Sequence, residues 1–230
     1  SDNCVFRVEA CSSTSLVVCR MLTKLKAWFQ RLTEKWANAI QRLGLNPSMI
    51  SILGLILGIS SGVAYWLAGS LIIDPTTHRI YLILAVLLLS FSGLCDALDG
   101  ALARIRGEVT AFGGFLDSIV DRYVDSAVLL GIMLSGLCDP TWGALALVGS
   151  LLTSYVRAKA ESLGIKMESI GLIERAERVL IILISSAIEI IWPSSSALSV
   201  GIMVLAVTSN LTVVQRILHF YNIAHRVSST

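Results

Sequence analysis

The chain has 230 residues, 55% of them hydrophobic and 15% charged, with a formal net charge of +2. A mean hydropathy of +0.77 excludes an ordinary soluble domain, where about 25% of residues are charged. The apolar runs, about 17–25 residues long and without strict alternation, predict membrane-crossing helices rather than barrel strands. The expected fold class is therefore all-α: a polytopic membrane bundle of six transmembrane helices preceded by an interfacial amphipathic helix.

Residues 1–20 share no pattern with the rest of the chain, and Met21 opens a coherent one. They read as a poorly ordered extension or a short cap on the cytoplasmic face, with no assigned role. Five cysteines form neither a CxxC pair nor a zinc-like spacing. Over residues 21–44, Leu22, Leu25, Trp28, Phe29, Leu32, Trp36, Ile40 and Leu43 recur at helical spacing, flanked by Lys24, Lys26, Arg31, Lys35 and Arg42. Aromatic anchors beside bases predict a helix lying along an anionic membrane surface; the alternative is the seam of an intersubunit helix pair.

Gly44-Leu45-Asn46-Pro47-Ser48 breaks that helix, and Asn46 or Ser48 can cap the next. The spans are expected at Met49–Leu71, Arg79–Leu98, Gly113–Gly136, Trp142–Leu163, Leu172–Trp192 and Ala197–Phe220. With no repeat or long linker, residues 45–225 read as one domain. The first span carries Gly54, Gly58 and Gly62 on one stripe, which predicts close helix packing within the bundle, with a dimer face as the alternative. The connections at Leu137–Thr141 and Pro193–Ser196 carry no Lys or Arg, whereas the opposite side holds Arg104, Arg106, Arg157, Lys159, Lys166, Arg175, Arg178, Arg216 and Arg226. By the positive-inside rule both termini and the functional end face the cytoplasm of a multi-pass cell-membrane protein.

Between the second and third spans stands Asp96-Ala97-Leu98-Asp99-Gly100-Ala101-Leu102-Ala103-Arg104, then eight residues, then Gly113, Asp117 and Asp121. Acids beside hydrocarbon are costly and mark function. Asp96 and Asp99 share one helix face, as do Asp117 and Asp121, and a short connection makes the helices antiparallel neighbours. Four converging carboxylates suit a pair of hard divalent cations: Mg²⁺, with Mn²⁺ not separable from it by this donor set. Gly100 and Gly113 leave room beside the acids, Ala103 keeps the face shallow, and Arg104 offers a phosphate fork. Phosphoryl transfer uses such parts. The competing reading is an ion-coupled transporter with the acids as its cation path.

This string resembles the signature of the CDP-alcohol phosphotransferase family, D-x-x-D-G-x-x-A-R, eight residues, G-x-x-x-D-x-x-x-D, at every specified position. The opening of the first span, Leu45–Ser51, is similar to the family's as well. The resemblance implies that Asp96, Asp99, Asp117 and Asp121 hold metal and that Asp121 is also the general base. It implies that Gly100, Ala103, Arg104 and Gly113 line the CDP-lipid pocket, helped by Thr110, Asn46, Pro47 and Ser48. It also implies a homodimer. Asp125 lies one turn beyond the signature and reads as a buried polar partner for another helix, the alternative being a role in the site.

Ser154-Tyr155-Val156-Arg157-Ala158-Lys159 ends the fourth span, and Glu174-Arg175-Ala176-Glu177-Arg178 opens the fifth. A convergence of Arg157, Lys159, Arg175 and Arg178 suits an anionic acceptor; the plain alternative is positive-inside flanking with a Glu174–Arg178 pair. Lys166, Arg216 and Arg226 read as such flanks. Both segments resemble the inositol-phosphate-using branch of the family, which implies that Ser154, Arg157, Lys159, Arg175 and Arg178 bind inositol phosphate. The expected reaction moves a phosphatidyl-type group from CDP-diacylglycerol or CDP-archaeol to inositol phosphate, releasing CMP. Glycerol 3-phosphate is the alternative acceptor. The expected partners are these substrates and the bilayer, with no nucleic acid.

Overall fold

The computed structural model describes residue 36 and residues 46–70, 74–107, 110–167, 170–193 and 195–228. The expected amphipathic helix at 21–44 and the extension at 1–20 lie outside the described residues, apart from Trp36. Among the described residues the fold is all-helical, in six helices: α1 Pro47–Ser70, α2 Pro75–Arg106, α3 Ala111–Leu134, α4 Pro140–Ser162, α5 Arg175–Ile191 and α6 Ala197–Ser228.

Local chemistry sets the helix ends. Proline stands at the first position of α1, α2 and α4, where its missing N–H costs nothing. Ser48 therefore lies inside the first turn of α1, directly after Asn46 and Pro47. Thr110 caps α3 by accepting a hydrogen bond from the Gly113 N–H at 3.0 Å. Asp139 caps α4 in the same way through Thr141 N–H at 2.8 Å, and that bond holds its carboxyl below the usual range. The second helix differs from expectation at both ends. It begins at Pro75 and runs unbroken through the aspartate string to Arg106, ending where Gly107 turns left-handed at φ 65°. Thirty-two residues rise about 48 Å, against about 30 Å of hydrocarbon. The surplus turns carry the acids to the edge of an apolar layer.

The helices form two groups. α1 packs on α2 and α3, while α6 packs on α4 and α5; α3 against α4 and α2 against α5 join them. The glycine stripe serves the first group. A Cβ on Gly62 would collide with the Ala127 carbonyl oxygen, and one on Gly131 with that of Gly62. Backbone thus meets backbone where α1 crosses α3. Tyr65 spans the groups, its buried hydroxyl 2.8 Å from Ser186 Oγ. The main core gathers Tyr65, Leu82, Leu89, Val128, Ile132 and Leu205, and a smaller cluster of Ile50, Leu98, Ala101 and Leu102 underlies the acidic end.

Three helices, Pro47–Gly69, Pro75–Arg106 and Ala197–His225, are long and apolar enough to cross a membrane. The other three are apolar but interrupted. α3 carries Asp117, Asp121, Arg122 and Asp125, α4 ends in Arg157 and Lys159, and α5 has 17 residues.

Replacing Gly62 or Gly131 with valine should force α1 and α3 apart, because the atoms a side chain would strike are backbone. The expected cost is about 3 kcal/mol or more, read as a lowered thermal midpoint in detergent. Gly93→Ala, where a Cβ meets nothing within 4 Å, should leave that midpoint within a few degrees.

Candidate active site

Three aspartates from two helices converge at the end of α2 and the start of α3. One carboxylate oxygen from each of Asp96, Asp99 and Asp117 lies within 4.8 Å of the others. Asp99 is buried, and it accepts a hydrogen bond from the Ser51 hydroxyl on α1. The helical i, i+3 spacing of Asp96 and Asp99 brings them to one face, and Asp117 on α3 meets that face. Such an all-oxygen donor set fits a hard divalent cation.

Asp121 lies outside this triad. Its Oδ1 stands 2.8 Å from Arg175 Nη1; the same nitrogen is 3.0 Å from Asp96 Oδ2, and Arg175 Nε is 3.4 Å from Asp125 Oδ1. The guanidinium N–H is not aimed along the Asp121 contact, so that buried oxygen has no hydrogen bond. Asp125 also accepts from Arg178 Nη2 at 3.1 Å and lies 3.5 Å from the Ser150 hydroxyl. It is thus a polar link from α3 to α4 and α5.

Behind Asp121 opens a cavity of about 230 Å³ lined by Arg122, Asp125, Thr153, Ser154, Arg157, Glu174, Arg175, Arg178 and Arg216 among others. Arg178 is 5% exposed, and its Nε lacks a hydrogen-bond partner. Of the expected acceptor residues, Ser154, Arg157, Arg175 and Arg178 reach this cavity. Lys159 is exposed and is not part of the lining. Arg157 pairs with Glu161 at 2.9 Å. The Glu174–Arg178 pair of the alternative flank reading is replaced by Asp125–Arg178, and Glu174 shares a capping box with Glu177 at the start of α5.

Arg216 corrects the flank reading. It is 4% exposed, donating from Nε to the Ile170 carbonyl at 2.8 Å and from Nη1 to the Thr153 carbonyl at 2.6 Å. Its position inside the expected Ala197–Phe220 span was the available signal, since an arginine at that depth needs buried partners. Ser51 had no such signal, because only the packing of α1 on α2 brings it to Asp99.

The remaining expected residues border the acids more loosely. Asn46, Ser48, Arg104, Thr110 and Gly113 are exposed, whereas Pro47, Ala103 and Gly100 are half-buried. A Cβ on Gly100 would meet only Arg104 Nη1, at 3.8 Å, so no other helix fills the space it leaves. At Gly113 the nearest atom is the capping Thr110 Oγ1, at 3.1 Å.

The model of CDP-alcohol phosphatidyltransferases matches residues 44–216. The chain belongs to that family. Similar curated proteins include the archaetidylinositol phosphate synthase of Pyrococcus horikoshii, 34% identical over 197 residues, or 86% of this chain and 95% of that protein. The synthase of the same name from Methanothermobacter thermautotrophicus is 38% identical over 202 residues, 87% and 94% of the two chains. Among solved structures, the phosphatidylinositol phosphate synthase of Mycobacterium tuberculosis with CDP-DAG bound matches with a TM-score of 0.70 at 32% identity. That match covers 83% of this chain and 94% of the other. The same enzyme in complex with manganese and citrate matches at 0.69 and 33%, covering 82% and 88%.

Arg216→Ala should strand two buried carbonyls and cost about 1–3 kcal/mol for each group left unpaired. A surface flank would shift stability by no more than about 0.5 kcal/mol. Thermal unfolding of the purified protein in detergent separates the two.

Proposed function

We propose that the chain is a divalent-cation-dependent membrane transferase that moves a phosphatidyl-type group from a CDP-lipid, CDP-diacylglycerol or CDP-archaeol, to inositol phosphate. The observation that carries this reading is an acidic triad and an arginine-lined cavity sharing one wall at Asp121 and Arg175. One compartment suits the diphosphate of the donor, the other a phosphorylated acceptor. The names of the similar synthases favour the same pair of substrates.

Asp96, Asp99 and Asp117 would hold the cations, Mg²⁺ or Mn²⁺, with Asp121 at their edge. Bound there, they supply positive charge to the diphosphate oxygens as phosphorus is attacked. Gly100 leaves space for the nucleotide, bordered by Ala103, Arg104, Thr110, Gly113 and the Asn46–Ser48 corner. Arg157, Arg178 and Arg216, with Ser154, receive the acceptor's phosphate, and the unpartnered Arg178 Nε is a donor ready for it. Lys159 would act only as a charge at the mouth. Asp121 takes the proton from the acceptor hydroxyl. The new bond joins that oxygen to the lipid-side phosphorus, and the bond from this phosphorus to the CMP oxygen breaks.

The same reading makes residues 45–225 one catalytic domain of six spans, with residues 21–44 lying on the membrane surface. The outward faces of the less apolar helices support it, since Leu130, Leu134, Val148, Leu152, Ile184 and Ile188 are all exposed and suit lipid. Charge asymmetry favours a cell-membrane protein with its site and termini on the cytoplasmic side. The homodimer that the family resemblance implies would use a surface other than the glycine stripe, which α2 and α3 already cover.

Purified protein should release CMP from a CDP-lipid only with a divalent cation and a phosphorylated polyol. Asp121→Asn, with its thermal midpoint kept, should lower that rate by about 10²–10⁴-fold. Preferential incorporation of labelled glycerol 3-phosphate over inositol phosphate would overturn the acceptor. Cation uptake into vesicles without CMP release would favour the transporter.

A further inference from the structure

Arg175 belongs to two places at once. It borders the small pocket of Ser51, Asp96, Asp99 and Asp121, and it also lines the arginine-rich cavity behind Asp121. Its one positive charge is divided among Asp96, Asp121 and Asp125. The terminal nitrogen serves the first two, and Nε serves the third, Asp125, which lines the cavity. An arginine cannot give up its proton to leave such a cluster, so its charge leaves only if the side chain moves. The backbone beneath is anchored: Arg175 is the first residue of α5, and the Glu174 N–H donates to Glu177 Oε2 at 2.8 Å in the capping box. Motion is therefore a matter of side-chain torsions.

The contact with Asp121 is short but undirected. At 2.8 Å from Nη1, Asp121 Oδ1 is buried and still has no hydrogen bond. A planar fork satisfies carboxylates through aimed N–H groups, whereas a spherical cation needs only oxygen at close range. Toward Asp121 Arg175 is a poor fit, although the same nitrogen hydrogen-bonds Asp96 at 3.0 Å, and a divalent ion would answer both oxygens. On the other side Asp125, with Arg178, offers it a place to remain.

We propose that Arg175 is an internal counter-ion that occupies the acid cluster until a divalent cation is loaded and then swings toward Asp125 and the arginine-lined cavity, adding its charge to the acceptor's compartment. This rests on the cation-dependent reading above and extends it to an order of events. Arg175 holds the acids together before loading, and the acceptor cavity gains its full positive charge only afterwards. An empty donor site is thereby paired with a weakened acceptor site. Linkage makes the effect reciprocal, so an anion in the cavity favours cation loading.

Two measurements on the full chain in detergent test the exchange without turnover. In the first, the wild-type protein is treated with phenylglyoxal, an arginine-specific dicarbonyl, with and without Mn²⁺, and modification at residue 175 is read by mass spectrometry. Release from Asp96 and Asp121 should raise labelling there several-fold on Mn²⁺ addition. Unchanged or diminished labelling overturns the proposal. In the second, Mn²⁺ binding is followed by electron paramagnetic resonance. Arg175→Gln removes the competitor and should tighten binding by about fivefold, the scale of one lost ion-pair contact, while Arg175→Lys should stay near wild type. A Gln variant that binds Mn²⁺ no more tightly than wild type overturns the proposal while leaving the cation-dependent reading standing. A wild-type protein that binds no Mn²⁺ removes both. The labelling arm needs no variant and decides the matter if Arg175→Gln fails to fold.

Discussion

Negative charge beside hydrocarbon has to be answered by positive charge, and the arrangement of this bundle follows from where each answer comes from. Five aspartates, Asp96, Asp99, Asp117, Asp121 and Asp125, lie on two neighbouring helices. Left unpaired at low dielectric they would repel and take up protons. Arg175 and Arg178, from the start of α5, meet three of them, and Ser51 reaches a fourth from α1. Four helices are thereby tied to one end of the molecule. A buried pair of this kind adds little net stability once desolvation is counted. Its value lies in register, because the contacts of Arg175 and Arg178 with Asp96, Asp121 and Asp125 require α2, α3 and α5 to meet at one end.

Close approach of α1 and α3 makes that register attainable. Gly62 and Gly131 bring two backbones into contact, and Ser92 and Ser61 lock α1 to α2 by bonds to the Gly54 and Ala85 carbonyls at 2.7 and 2.8 Å. Small residues and hydroxyls hold the apolar depth of the bundle, where lipid removes most of the hydrophobic drive for helix association. The division of labour is visible in the burial pattern: a main core of Tyr65, Leu82, Ile132 and Leu205, and only a small cluster around Ile50 and Leu102 beneath the acids.

The cavity and the small pocket beside the acids share Arg175 and Asp121, so under the proposed reading the two compartments would not be independent. The arginines deeper in the cavity are held differently. Arg178 is fastened by Asp125 and keeps one N–H unpartnered, whereas Arg216 spends two donors on the carbonyls of α4 and of the loop before α5. The same residue thus closes the wall of the cavity and adds to its charge.

Much of this was legible in the chain itself. Spacing of three and four residues places Asp96 with Asp99 and Asp117 with Asp121 on single helix faces, whatever surrounds them, because the pitch of a helix is fixed by its backbone. Hydropathy implied helices and ruled out a soluble domain for the same local reason. Extents were less accurate: α2 runs eight residues past the expected Leu98, since nothing before Gly107 prevents a helix from leaving an apolar layer. What tertiary structure alone decided is which charge meets which. Arg175 lies 79 residues from Asp96 and 50 from Asp125, and Arg216 lies 63 from Thr153. No periodicity reaches across such intervals. Those pairings exist because α5 packs against α2 and α6 against α4, bringing together helix ends where unpaired charge is too costly to leave.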